Sequence, residues 1–188
     1  MSLDRDEFLK TILRGYTGSY DIELVEEKEE SFPLAARAAL HMQEAGYFLT
    51  RKAQTWAANS DEYVFFYSLP HADLACVRDA IQQAYEEGMS KIDIKANPDH
   101  MCTRIVAVFI CDEADADAVE HVRKCRLYKS FQMSLKGWME FHAIIVDLGK
   151  GSVEYNRYGR ETAKFCNNVL HPKTRKQNKK SLWGIFKR

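Results

Sequence analysis

Tyr63-Val64-Phe65-Phe66-Tyr67 places five bulky apolar residues in a row inside the segment Glu62 to Leu69. A strand that is apolar on both faces belongs in the middle of a sheet covered from two sides. Thr103 to Cys111 repeats the pattern with Ile105-Val106-Ala107-Val108-Phe109-Ile110. Trp138 to Leu148 reads as a further strand, and Phe141, Ile144 and Val146 do not share one parity, which leaves its exposed face open. Working outward from these strands, the chain between them predicts helices.

His71 to Met89 is the clearest amphipathic segment, with Leu74, Val77, Ile81, Ala84, Tyr85 and Gly88 at helical spacing. Asp112 to Asp117 predicts the cap of a helix running to about Tyr128, with Val119, Val122 and Cys125 on its inner stripe. Asp4 to Tyr16 predicts a helix with Phe8, Leu9, Ile12 and Leu13 on one face, and Gly159 to Leu170 a short final one. Tyr20 to Val25 alternates apolar and acidic residues, the period of a half-buried strand. Ser31 as N-cap and Pro33 in the first turn predict a helix over Leu34 to Glu44, ended by Gly46. Tyr47 to Ala57 reads as extended, with Asn59-Ser60-Asp61 turning it into the Glu62 strand as a hairpin. Gly149-Lys150-Gly151 reads as a turn into a strand from Ser152, not a phosphate loop, because it lies between strands rather than before a helix. Together these elements predict an α+β fold. Residues 1–170 form a single domain, a mixed and largely antiparallel sheet of about six strands with flanking helices; residues 171–188 form a basic tail.

The 27 basic and 27 acidic residues balance only in total. Seven basic and no acidic residues fall in 171–188, leaving 20 basic against 27 acidic in the body. The body is therefore near −7 and the tail near +7. Lys173, Arg175, Lys176, Lys179, Lys180, Lys187 and Arg188 carry the charge, and Trp183 and Phe186 stand among them with Leu182 and Ile185. On a helical wheel these four apolar residues share one arc, so the tail predicts a binding segment for an anionic membrane surface, a nucleic acid or an acidic protein. Burying four apolar side chains gives roughly 2 kcal/mol each. Ordering ten residues costs roughly 1–2 kcal/mol apiece and offsets most of that. One tail is a weak, reversible anchor. Lys180 to Arg188 resembles in composition the short C-terminal membrane-targeting helix of bacterial septum-placement ATPases, over nine residues. The resemblance implies a mode of attachment. It implies no activity, because those ATPases carry a G-x-x-x-x-G-K-[ST] loop and this sequence has none.

The candidate chemistry is local and sparse. His100 and Cys102 stand two apart before a strand, as a metal pair or a nucleophile and base would, with His71 or His121 as distant partners. Glu140 and His142 project to one side of a strand, which suits acid–base work. Structural pairing accounts for both pairs more economically. Asp21 with Glu26-Glu27-Lys28 superficially matches the carboxylates and lysine of metal-dependent nucleases, but it runs into an acidic, solvated stretch. No motif calls for a cofactor or a resident metal. Five cysteines without a C-x-x-C pair, an acidic N-terminus and the lack of a long apolar run predict a cytoplasmic protein, peripheral to a membrane at most. The reading that follows is a non-catalytic binding or accessory protein working through the tail. The alternatives are a hydrolase or nuclease-like enzyme around His100, Cys102, Glu140 and His142, and nucleic-acid binding through the tail.

Overall fold

A computed structural model describes residues 4–25, 33–47 and 54–172. The tail residues 173–188, the acidic stretch 26–30 with its nuclease-like Glu26 to Lys28, and Ser31 lie outside the described residues. The elements are α1 (Arg5–Tyr16), β1 (Asp21–Leu24), β2 (Leu34–Tyr47), β3 (Gln54–Ala72), α2 (Leu74–Ser90), β4 (His100–Ala114), α3 (Ala116–Lys124), β5 (Tyr128–Ser130), β6 (Trp138–Asp147), β7 (Ser152–Tyr155) and α4 (Arg160–Leu170). The strands form one mixed sheet in the order β1-β2-β3-β4-β6, and both β5 and β7 pair with the outer edge of β6. The α+β architecture with flanking helices stands as the sequence predicts.

The strand directions correct the largely antiparallel, six-stranded expectation. β1-β2-β3 is an antiparallel meander, but β3, β4 and β6 run parallel. The helices that the sequence places between these strands suit this, because parallel neighbours need a long crossover connection and a helix supplies one. Both crossovers pass over one face, so α2 and α3 pack side by side there. The seventh strand, β5, is three residues long and too short to show a period.

A second correction concerns Leu34 to Glu44, which forms β2 and not a helix. Ala-rich sequence favours helix by propensity alone. Here Leu34, Ala36 and Ala38 are buried while β1 and β3 bond to the two edges, so tertiary pairing outweighs a propensity worth a few tenths of a kcal/mol per residue. Arg37 on this strand donates to both carboxylate oxygens of Glu87 in α2, at 3.0 and 3.3 Å. The partner of β3 in its hairpin is therefore β2. Asn59, Ser60 and Asp61, read as a turn, lie within β3 and face Gln43, Met42 and His41 across the ladder. The predicted helix from Asp112 also shortens to nine residues, because β4 extends to Ala114.

Side chains of the central strands alternate between two cores. Phe65, Tyr67, Ile105, Phe109, Phe141 and Ile145 meet α2 and α3. Val64, Phe66, Val106, Val108, Ile144 and Val146 meet Phe8, Ile12 and Tyr16 of α1 and Ala163 and Cys166 of α4. Two buried apolar faces explain why these strands are continuous hydrophobic runs and why β6 shows no single parity. Gly88 lets α2 approach β4: a β-carbon there would stand 2.6 Å from the Ile105 side chain.

Candidate functional site

The α1/α4 face is dry only along the C-terminal halves of the strands. Toward their starts the same face carries Glu62 of β3, Cys102 and Arg104 of β4, and Glu140 and His142 of β6. Strand alternation puts them there, since each lies an even number of residues from Val64, Val106 or Ile144. Parallel pairing aligns Glu62 with Arg104 and Arg104 with Glu140. The result is a row of charges across three neighbouring strands.

Its members compensate one another. Arg104 stands between the carboxylates, 3.7 Å from Glu62 and 3.6 Å from Glu140. Tyr20 donates its hydroxyl to Glu62 at 3.0 Å. The Nε2–H of His142 donates to Glu140 at 3.1 Å, and its ring stacks on Tyr158, which stacks in turn on Tyr128. The hydrogen bond from His142 is the main reason the Glu140 carboxyl is held below the usual range, with Arg104 and Trp138 adding to it against the opposing effect of burial. Burial, and then the charge and hydrogen bond of Glu62, push the Tyr20 phenol up. The Glu62 and Glu140 side chains are 13% and 21% exposed, so the row is sheltered but not sealed.

Cys102 belongs to this face but not to a catalytic pair. Burial first, then the charge of Glu140, pushes its thiol up to about 11, so it is protonated at neutral pH. It sits opposite Trp138, whereas His142 sits opposite Val106. Four residues along the ladder separate them by roughly 13 Å, well beyond nucleophile–base contact.

His100 lies on the other side of the sheet, where a register shift of β3 against β4 between Asn59 and Ser60 turns it away from the row. Its Nδ1 bonds the Lys136 carbonyl at 2.8 Å, which can only accept, and so carries a proton. Its Nε2 meets the Thr103 hydroxyl at 2.9 Å. Both ring nitrogens are taken by structure, and Phe131 packs edge-on against the ring. A hollow of about 410 Å³ opens beside it, between the Pro98–Met101 segment and the Ser134–Trp138 segment. The four sequence candidates therefore divide: Cys102, Glu140 and His142 share a face, and His100 does not. His71 meets Asp115 at 3.1 Å at the far end of the strands, and His121 lies on α3. Among the described residues no three His, Cys, Asp or Glu side chains gather as a metal site.

Sequence reading missed Glu62 and Arg104. Their signal is visible in retrospect: each is a charge at the start of a long apolar strand, at a parity that points it to the same face as Glu140. Finding them needs the strand order, which the sequence does not state. The predicted binding residues Lys173, Arg175, Lys176, Lys179, Lys180, Trp183, Phe186, Lys187 and Arg188 all lie outside the described residues.

No curated protein and no solved structure matches this chain. The model of one family, the domain of unknown function DUF8052, matches residues 4–168, nearly the whole described fold, and the chain belongs to that family.

Proposed function

We propose that this chain is a non-catalytic binding or accessory protein that engages an anionic membrane surface through its cationic C-terminal segment, Lys173 to Arg188. The observation that carries the non-catalytic part is the closure of the polar row. Glu62, Arg104, Glu140 and His142 are spent on one another, and the nearby Cys102 thiol is protonated and out of reach of the histidine. The charge division between a −7 body and a +7 tail carries the choice of surface. Unpaired thiols at all five cysteines suit a reducing compartment, and the reading places the protein in the cytoplasm at a membrane periphery. Among the described residues no helix is long and apolar enough to cross a membrane.

The test is sedimentation of the full chain with vesicles of phosphatidylglycerol and phosphatidylcholine, against phosphatidylcholine alone. Binding that requires the anionic lipid, falls with salt and is lost on Trp183→Glu with Phe186→Glu supports the reading. Equal binding by that double variant overturns it, and so does tighter, tail-dependent binding to a nucleic acid than to vesicles.

An enzymatic reading, hydrolase or nuclease-like, keeps one observation in its favour: Glu140 orients His142 as a carboxylate orients a general base. Hydrolysis of ester or phosphodiester substrates by the intact chain, abolished by His142→Ala, would establish it in place of the reading above.

A further inference from the structure

Between Glu120 and Glu140 the chain has no acidic residue and five basic ones, Arg123, Lys124, Arg126, Lys129 and Lys136. This is a second cationic stretch, inside the acidic body. It forms the end of α3, the edge strand β5 and the loop 131–137 that leads into β6. Arg123 is paired with Glu154 and Lys124 with Glu120. Among the described residues no carboxylate lies within ion-pair distance of Arg126, Lys129 or Lys136. Arg126 and Lys136 bond carbonyl oxygens, and Lys129 lies over the Phe131 ring.

The loop itself is built against its own backbone preference. Gln132, Met133 and Ser134 have φ of 48°, 53° and 68°, three consecutive left-handed residues without a glycine. Side-chain sterics disfavour that region, so the surroundings must hold it. They do so through Gly137, which closes the loop at φ +76° and leaves no room for a β-carbon against the Met101 carbonyl. The conformation presents Met133 and Leu135 to solvent, 90% and 80% exposed. No packing reason accounts for spending strain to expose two apolar side chains. Four backbone N–H groups of the loop, at Phe131, Leu135, Lys136 and Gly137, are bonded to carbonyls within it. These four bonds lower the cost of bringing the loop against an apolar medium, and the N–H groups of Gln132, Met133 and Ser134 are not among them.

We infer that the loop 131–137 is a membrane-contact site that inserts Met133 and Leu135 into the interface of an anionic bilayer, with Arg126, Lys129 and Lys136 supplying the adjacent positive charge. The tip is aliphatic and thioether rather than aromatic, which suits acyl chains better than the stacking a nucleic acid needs. The inference rests on the reading that the partner is an anionic surface, but it places a contact on the folded domain instead of on residues 173–188. A second contact also answers the weakness of a single tail, since two linked sites bind far more tightly than either alone.

The experiment uses the full chain and vesicles of phosphatidylglycerol and phosphatidylcholine. Met133→Glu with Leu135→Glu is compared with Trp183→Glu with Phe186→Glu, and thermal melts of both variants confirm an unchanged fold. The loop variant is expected to weaken vesicle binding at least about tenfold. If it binds like the parent while the tail variant does not, the inference is overturned and the tail reading stands. If the loop variant loses binding and the tail variant keeps it, the inference stands and the tail reading falls. If the intact chain ignores anionic vesicles, both fall.

Discussion

The two halves of the α1/α4 face are made from the same three strands and behave oppositely. Toward the strand ends, Phe66, Val108, Ile110 and Val146 are sealed under α1 and α4. Toward the strand starts, Glu62, Arg104, Glu140 and His142 hold one another in a sheltered, partly exposed row. Asn156 stitches the halves at their boundary. β5 bonds the outer edge of β6 over Trp138–Glu140 and β7 bonds it over Ile144–Asp147, and Asn156 serves the gap. Its side chain accepts from Ala143 and Gly159 and donates to Phe141 and Cys125. Burial dominates the dry half, whereas mutual charge compensation lets the other half stay partly wet without costing the sheet its order.

Breaking the dry half should have the largest effect. Phe66→Ala removes a ring that packs edge-on against Tyr16 at 5.4 Å and is fully buried. It is expected to cost about 3–5 kcal/mol in urea-induced unfolding. Asn156→Ala should come next, at about 2–4 kcal/mol, because it leaves buried backbone groups of Ala143 and Phe141 without partners. A loss below about 1 kcal/mol would show that β5 and β7 hold the edge without the stitch.

Arg104→Met probes the wet half and should cost only about 1 kcal/mol, since the Arg104 side chain is 35% exposed and solvent screens it. A double-mutant cycle with Glu140→Gln should return a coupling of a few tenths to 1 kcal/mol, and a coupling of zero would mean the row is an accident of proximity. The smallest effect is in pH. The folded Glu140 carboxyl is held below its unfolded value, so its contribution is present above the unfolded pKa of about 4.3 and is lost as pH falls through the lower folded value. Glu140→Gln should flatten the stability profile in that acidic window and leave it unchanged near neutrality. An unchanged acid limb would place the sensitivity elsewhere, with Asp147 next. Burial raises its carboxyl, but the hydrogen bonds from Lys150 and Ala114 outweigh this and leave it lowered.

Much of the fold was legible because hydrophobic period survives without tertiary information. The doubly apolar runs around Phe65 and Val108 announced a covered central sheet, and the 3.6-residue stripe of Leu74, Val77 and Ile81 announced α2. What misled was local punctuation. Ser31, Pro33 and Gly46 read as the start and stop of a helix over Leu34 to Glu44, because nothing in that stretch reveals that strands will pair on both its edges. Asn59-Ser60-Asp61 read as a turn because polar, flexible residues also serve a strand when partners such as Asn97 and His41 stand beside them.

By itself the sequence determined a sheet covered by helices, the amphipathic face of α2, and the separation of charge between body and tail. These follow from side-chain period and composition, which are properties of neighbouring residues. Only the tertiary structure decided that Glu140 and His142 join Glu62, Arg104 and Tyr20, that His100 turns to the opposite face, and that Met133 and Leu135 are held out to solvent. Those outcomes depend on strand order, register and one left-handed loop, which bring together residues up to about 120 positions apart in the chain.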